Sequence, residues 1–271
     1  PVLYLLDGDS FFHSVVGFTR FFSSSKTSNL PPCIVVAVLN TDGPEISLLP
    51  AQPPADGTIC PYDKPAGGGA EQFYRFLIEE LRLEVENKVP ANGTNFLSDI
   101  HTQVYLPTDT VKSPESFDSY IAIDPSLWWD RGVFLQQAAK NVYQKDFSGK
   151  HLYVAFATRQ RPAIKLIQFS LADSLKNKII PEMKNKHLHV IYKKFPDEVH
   201  GTIALPAIFD GLKSLFHSTI STKEQHDNFL QYSVSHLLQN APVTIGKNNI
   251  TDADSVVTRS IPGYYVAVIL A

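Results

Sequence analysis

Pro1-Val-Leu-Tyr-Leu-Leu6-Asp7-Gly8-Asp9-Ser10 opens the chain with an apolar run that passes directly into a polar, glycine-containing turn. A short continuous apolar run bounded by turn residues suits a strand buried on both faces. The pattern recurs at Ile34–Leu39, Tyr120–Ile123, Leu152–Ala157 and His189–Tyr192. Between these runs the period lengthens. In Glu71–Val85 the residues Phe73, Phe76, Leu77, Leu81 and Val85 fall at three- and four-residue spacings, one apolar helix face, entered through Gly67-Gly-Gly69. Pro206–Phe216 offers a second such face with Ile208, Leu212, Leu215 and Phe216. Strands alternating with helices predict the α/β class: a mostly parallel sheet with helices on both faces, in three layers. Such a sheet places ligands at the carboxyl ends of its strands, so the turns that follow the runs are where chemistry is expected.

Composition narrows the function classes. The 271 residues carry 24 Lys+Arg and 27 Asp+Glu, a formal charge of −3, with 44% hydrophobic residues, 17 Phe and 11 Tyr. That is material for one well-packed core, and a single domain over 1–271 is expected. A near-balanced charge and a pI near 6.3 leave no basic stripe for a phosphate backbone, so nucleic acid is not an expected partner. The run Cys33–Leu39 falls far short of the roughly 20 residues that span a bilayer, so no membrane insertion is expected and the chain reads as soluble. It opens at Pro1 without a methionine. Any targeting segment is therefore expected to lie upstream, and localisation stays open, with secretion or a periplasmic place compatible. Asn92-Gly-Thr94 and Asn249-Ile-Thr251 are sequons that matter only in a eukaryotic secretory pathway. Cys33 and Cys60 allow one disulfide or two reduced thiols, with Cys33 buried in its strand. The proline-rich stretch Gly43–Gly69 reads as a long irregular loop. Oligomeric state is not legible.

Three clusters could carry chemistry. After the first strand, Asp7-Gly8-Asp9-Ser10 can turn backbone N–H groups toward an anion. After the strand Tyr120–Ile123 come Asp124-Pro125-Ser126-Leu127 and both tryptophans, Trp128 and Trp129, which serve either as core or as a binding surface. The third is Phe195-Pro-Asp197-Glu198-Val199-His200-Gly201-Thr202, where a histidine flanked by carboxylates and glycine follows a strand, a suitable place for a general base. Apart from His13, near the first cluster, the other histidines lie in or beside predicted strands and helices. No two of them share a helix with a carboxylate at zinc-ligand spacing, so no metal site is indicated, and no cofactor is expected.

At these clusters the chain resembles the esterase-D-like and enterobactin-esterase-like branch of the α/β-hydrolases. Pro1–Gly8 is similar to the strand leading to that branch's oxyanion loop. Ile121–Asp130 is similar to its strand ending Ser-Pro-Ser-Leu-Trp-Trp, with Asp124 in place of the first serine. His200–Leu212 matches its His-Gly-Ser/Thr loop and the following Leu-Pro-Ala-x-x-Asp-Gly-Leu helix. The likeness covers residues 1–89 and 117–216, leaving 90–116 atypical and 217–271 as a C-terminal extension. It implies a serine hydrolase that cleaves a small-molecule carboxylic ester through an acyl-enzyme. In this reading His200 is the general base, Gly8 and Asp9 form the oxyanion site, and Asp124, Trp128 and Trp129 bind substrate.

The branch's nucleophile strand, ending Gly-x-Ser-x-Gly-Gly, should fall in 90–116. That segment holds a single glycine, Gly93, far from the nearest serine, Ser98, which is a poor substitute. Ile100–Pro107, followed by Thr108–Ser116, instead resembles the branch's amino-terminal strand and loop. The triad acid is equally unmarked: no carboxylate follows Leu152–Ala157 until Asp173, leaving Asp197 and Glu198 as possible orienting groups for His200. Two alternatives therefore stand beside the esterase. One is a catalytically inactive hydrolase-fold protein that binds a ligand through the same pocket. The other is a GDS/SGNH-type esterase, with Ser10 of Gly8-Asp9-Ser10 as nucleophile and Asp197 three residues before His200.

Overall fold

The computed structural model describes residues 1–24, 33–39, 70–88, 93–100, 115–127, 135, 138–140, 142–159, 162–219, 257–261 and 264–270. The loop 43–69, Cys60, Trp128, Trp129 and the two sequon asparagines lie outside the described residues.

Six strands run parallel: β1 (Val2–Leu5), β2 (Ile34–Leu39), β3 (Asn95–Ile100), β4 (Ser119–Ile123), β5 (His151–Ala157) and β6 (His189–Phe195). β7 (Val257–Ile261) and β8 (Tyr264–Leu270) pair antiparallel, and β8 lies antiparallel on β2. The order across the sheet is β6-β5-β4-β3-β1-β2-β8-β7. Five of the parallel strands fall on the apolar runs. The atypical segment supplies β3, which is central, flanked by β1 and β4 with Ser98 opposite Leu5 and Ile121. Residues 217–271, expected as an extension, contribute β7 and β8 to the same sheet.

Side chains alternate across each strand, so β1 feeds two cores. Val2, Tyr4 and Leu6 pack on the face covered by α2 (Ala70–Arg75), a π-helical turn (Phe76–Leu81) and α3 (Arg82–Lys88). The same face is covered farther along by residues following α4 (Pro162–Ser174): a π-helical turn (Leu175–Ile179) and α5 (Ile180–Asn185). Leu3 and Leu5 pack on the opposite face, beneath α1 (Gly8–Ser24) and α6 (Ala204–Thr219). The sheet is thus the middle of three layers, with nearly all residues of β1, β2, β4 and β5 apolar and buried. Cys33, next to β2, is a buried free thiol whose pKa burial pushes up to about 11, which keeps it unreactive at neutral pH.

The turn after β1 is tighter than its sequence suggests. Asp7 is in the left-handed region (φ 53°), and its carbonyl accepts from the N–H groups of Ser10 at 3.0 Å and Phe11 at 3.3 Å, so α1 begins at Gly8 itself. A Cβ at position 8 would lie 2.6 Å from Ala37 Cβ on β2. Glycine is required there by close approach, and Gly8→Ala is expected to cost about 1–3 kcal/mol in urea denaturation.

At the opposite, amino-terminal end of the sheet, His151 and His189 sit in register on β5 and β6 with ring centroids 5.3 Å apart. Burial, and then the neighbouring His189, lower the pKa of His151; hydrogen bonding of the ring to the Asp118 backbone and that residue's charge oppose them, and Lys150 adds slightly to the lowering. A histidine with a depressed folded pKa takes up its proton more readily when unfolded. Stability should therefore fall as pH drops below the unfolded value of about 6.5. Urea midpoints at pH 7.5 and pH 5 should show this fall, and His151→Gln should remove part of it.

Candidate active site

Every parallel strand ends on the same side of the sheet, and the sequence clusters gather there. β4 ends at Asp124, which takes a left-handed backbone (φ 45°) that aspartate tolerates better than most residues. Its N–H donates to the Ala155 carbonyl at 2.8 Å, continuing the β4–β5 pairing one step past the strand. The carboxylate is 1% exposed. Oδ1 accepts from the Ala157 N–H at 3.2 Å, and Oδ2 lies 2.7 Å from His200 Nδ1.

His200 reaches this carboxylate because its loop is tied to the end of β5. Thr158 N–H donates to Phe195 O and Arg159 N–H to Glu198 O, each at 3.1 Å, while Thr158 Oγ1 donates to Pro196 O at 3.2 Å. Within the loop, Thr202 Oγ1 accepts from Val199 N–H at 3.1 Å and donates to the Glu198 carboxylate. The N–H groups of Thr202 and Ile203 close back onto Val199 O at 2.9 and 3.1 Å. Fully buried Ile203 then leads the chain into α6.

The helix motif noted in the sequence acquires a structural reason. Asp210 on α6 accepts from Tyr153 OH on β5 at 2.7 Å and from Lys193 Nζ on β6 at 2.7 Å. Gly211 lies so near the sheet that a Cβ would meet Tyr153 at 3.1 Å and Ile121 at 3.2 Å. Helix, loop and strands β5 and β6 are locked together, and the imidazole is held at one place. Burial, together with the Asp210 carboxylate, raises the Tyr153 pKa, so this tyrosine is a neutral donor at ordinary pH.

The chemistry follows from valence. An ionised carboxylate only accepts hydrogen bonds, so His200 Nδ1 carries the proton and Nε2 of the neutral ring bears the lone pair. The ring is 46% exposed. The pair can take a proton from a hydroxyl or water, with the buried carboxylate stabilising the imidazolium that forms.

The other expected site residues fall as follows. Gly8 and Asp9 begin α1 at the carboxyl end of β1. Ser10, exposed on the same helical turn, donates through Oγ to Asp9 Oδ2 at 3.5 Å rather than to His200. Ser98 is fully buried inside β3, its Oγ without a hydrogen-bond partner among the described residues, so it cannot meet a substrate. Asp197 offers its backbone carbonyl to Arg159 Nη1 at 3.4 Å, and Glu198 pairs with Thr202, so neither sequence neighbour is the carboxylate on Nδ1. Asp124, read from sequence as a substrate-binding position, is that carboxylate. Residues 101–114 lie outside the described residues. Among the described residues no group of three or more His, Cys, Asp or Glu side chains could hold a metal ion, and no helix is long and apolar enough to cross a membrane.

Comparison with known proteins agrees with this architecture. The chain is 26% identical over 254 residues to a siderophore enterobactin esterase of Emericella nidulans, covering 81% of this chain and 82% of that protein. It is 28% identical over 154 residues to the ferri-bacillibactin esterase BesA of Bacillus subtilis, covering 51% of each. Among solved structures, an IroE-like serine hydrolase from Shewanella oneidensis superposes with a TM-score of 0.70 at 24% identity, over 89% of this chain and 79% of that one. Siderophore hydrolase EstA from Aspergillus nidulans gives 0.64 at 24% identity, over 81% and 83%. No family model matches the chain.

Proposed function

We propose, for a chain with the α/β-hydrolase fold whose relatives are siderophore esterases, that it hydrolyses a carboxylic ester of a small molecule, the ester linkage of a siderophore being the substrate class. The observation that carries this reading is the 2.7 Å contact between His200 Nδ1 and the buried Asp124 carboxylate at the carboxyl end of the sheet. His200 Nε2 takes the proton of the attacking oxygen as that oxygen bonds to the ester carbonyl carbon. The carbonyl oxygen becomes an oxyanion, facing backbone N–H groups of the turn at Gly8 and Asp9. The same imidazolium returns its proton to the departing alkoxide as the C–O bond breaks. In the acyl-enzyme route the attacking oxygen belongs to a serine, and water repeats the cycle on the acyl-enzyme. Trp128 and Trp129, next in sequence to the Asp124 turn, are assigned to substrate binding.

The inactive-protein alternative is disfavoured by an intact, correctly oriented acid–base pair. The Ser10 alternative is disfavoured because it would have Asp197 orient His200, the position Asp124 holds. The test combines ester hydrolysis with a fluorophosphonate probe. Hydrolysis of p-nitrophenyl acetate and of a tris-catecholate trilactone should exceed that of His200→Ala by orders of magnitude, and the probe should mark one serine whose peptide identifies the nucleophile. Rates equal to those of His200→Ala on both esters, without labelling, would overturn the proposal.

A further inference from the structure

The Asp124 turn is held from a second direction, by a residue with no place in the mechanism so far. Gln168 lies on α4, the helix that follows β5, and is 2% exposed. Its Nε2 donates to the Pro125 carbonyl at 2.8 Å, across 43 positions of sequence. A carbonyl only accepts, so the amide orientation is fixed by its partner. The Pro125 oxygen also receives the Leu127 N–H at 2.7 Å, and Leu127 is fully buried. Meanwhile Gln168 Oε1 is buried with no hydrogen-bond partner among the described residues. A buried amide satisfied on one side only is costly, because its orphaned oxygen has left water without gaining a partner, and an apolar residue of similar volume would avoid that cost.

The backbone explains what such an amide contributes. Asp124 is in a left-handed conformation less favourable than the ordinary ones. Proline after it has no N–H, so the peptide that follows Asp124 supplies no donor to fasten the turn. The carboxylate is anchored to Ala157 at the end of β5, whereas the peptide chain leaving Asp124 is anchored through Pro125 to α4. Strand and following helix thus grip the two ends of one residue.

We propose that Gln168 is a positioning residue, holding the Asp124-Pro125 turn so that the carboxylate stays on His200 Nδ1. The proposal deepens the esterase reading and rests on it for its kinetic arm only. The test uses Gln168→Met, which retains length and volume without the donor, and Gln168→Asn, which retains the amide but withdraws it from Pro125. The readouts are kcat and KM on p-nitrophenyl acetate and the low-field proton resonance of the His200 Nδ1–H, assigned by its loss in His200→Gln. In both variants the resonance should be lost to exchange with water. The rate constant kcat should drop about 10- to 100-fold with KM little changed, as expected for displacement of a catalytic group by a fraction of an ångström. An unchanged resonance or an unchanged kcat in either folded variant overturns the proposal. If the wild-type chain hydrolyses no ester, the esterase reading fails, and the resonance alone decides the role of Gln168.

Discussion

Asp124→Asn is expected to lower kcat for ester hydrolysis by about 10⁴-fold while leaving the fold intact, by analogy with the loss of the orienting carboxylate in serine proteases. The reason is a tautomer. Ala157 N–H needs an acceptor, so the asparagine carbonyl oxygen takes the place of Oδ1, which now accepts that bond at 3.2 Å. The asparagine NH₂ is then directed at His200 Nδ1, where the carboxylate oxygen now stands at 2.7 Å. Two donors cannot face each other, so the ring proton moves to Nε2, and the nitrogen that should act as base has none of its lone pair left. Asparagine tolerates the left-handed backbone of this position, so backbone strain does not confuse the result. Steady-state kinetics on p-nitrophenyl acetate, with a thermal melt as control, give the measurement. Activity within tenfold of the wild type would mean that another group orients His200.

Phe96→Ala should produce the largest loss of stability among single core truncations on the helix α1/α6 side, about 3–5 kcal/mol by urea denaturation. Phe96 is 1% exposed in central strand β3, paired in register with Leu3 and Ser119. Its ring lies 4.7 Å from that of Phe216, itself 2% exposed on α6. The pair joins central strand β3 to the helix that follows the His200 loop. Its removal leaves a cavity between two rigid elements with little freedom to collapse. A loss below 1 kcal/mol would show that α6 settles onto the sheet without this contact.

Tyr120–Ile123 and Leu152–Ala157 were legible as strands because burial on both faces demands unbroken apolar runs, and those two are fully enclosed. β3 was harder to read, since Asn95-Phe-Leu-Ser-Asp-Ile100 interleaves polar residues. Yet Asn95 and Ser98 are buried, and Asn95 N–H finds the Asp118 carboxylate at 2.8 Å, a partner no local pattern announces. α1 was masked by its own start. Asp7-Gly8-Asp9 looks like an open turn, and only the approach of Ala37 shows that the glycine is there to let a helix begin against β2.

His200 was legible because a loop histidine between a strand and an apolar helix face is a local feature. Its carboxylate was not. Asp197 and Glu198 stand beside it in sequence, but Glu198 pairs with Thr202 and the carboxylate on His200 Nδ1 belongs to neither. By itself, the sequence determined the class of fold and pointed to His200 at the end of the sheet where chemistry is expected. Tertiary structure alone decided which carboxylate meets that histidine. Parallel strands bring residues 76 positions apart to one edge, and hydrogen-bond geometry across that edge, not proximity along the chain, selects Asp124.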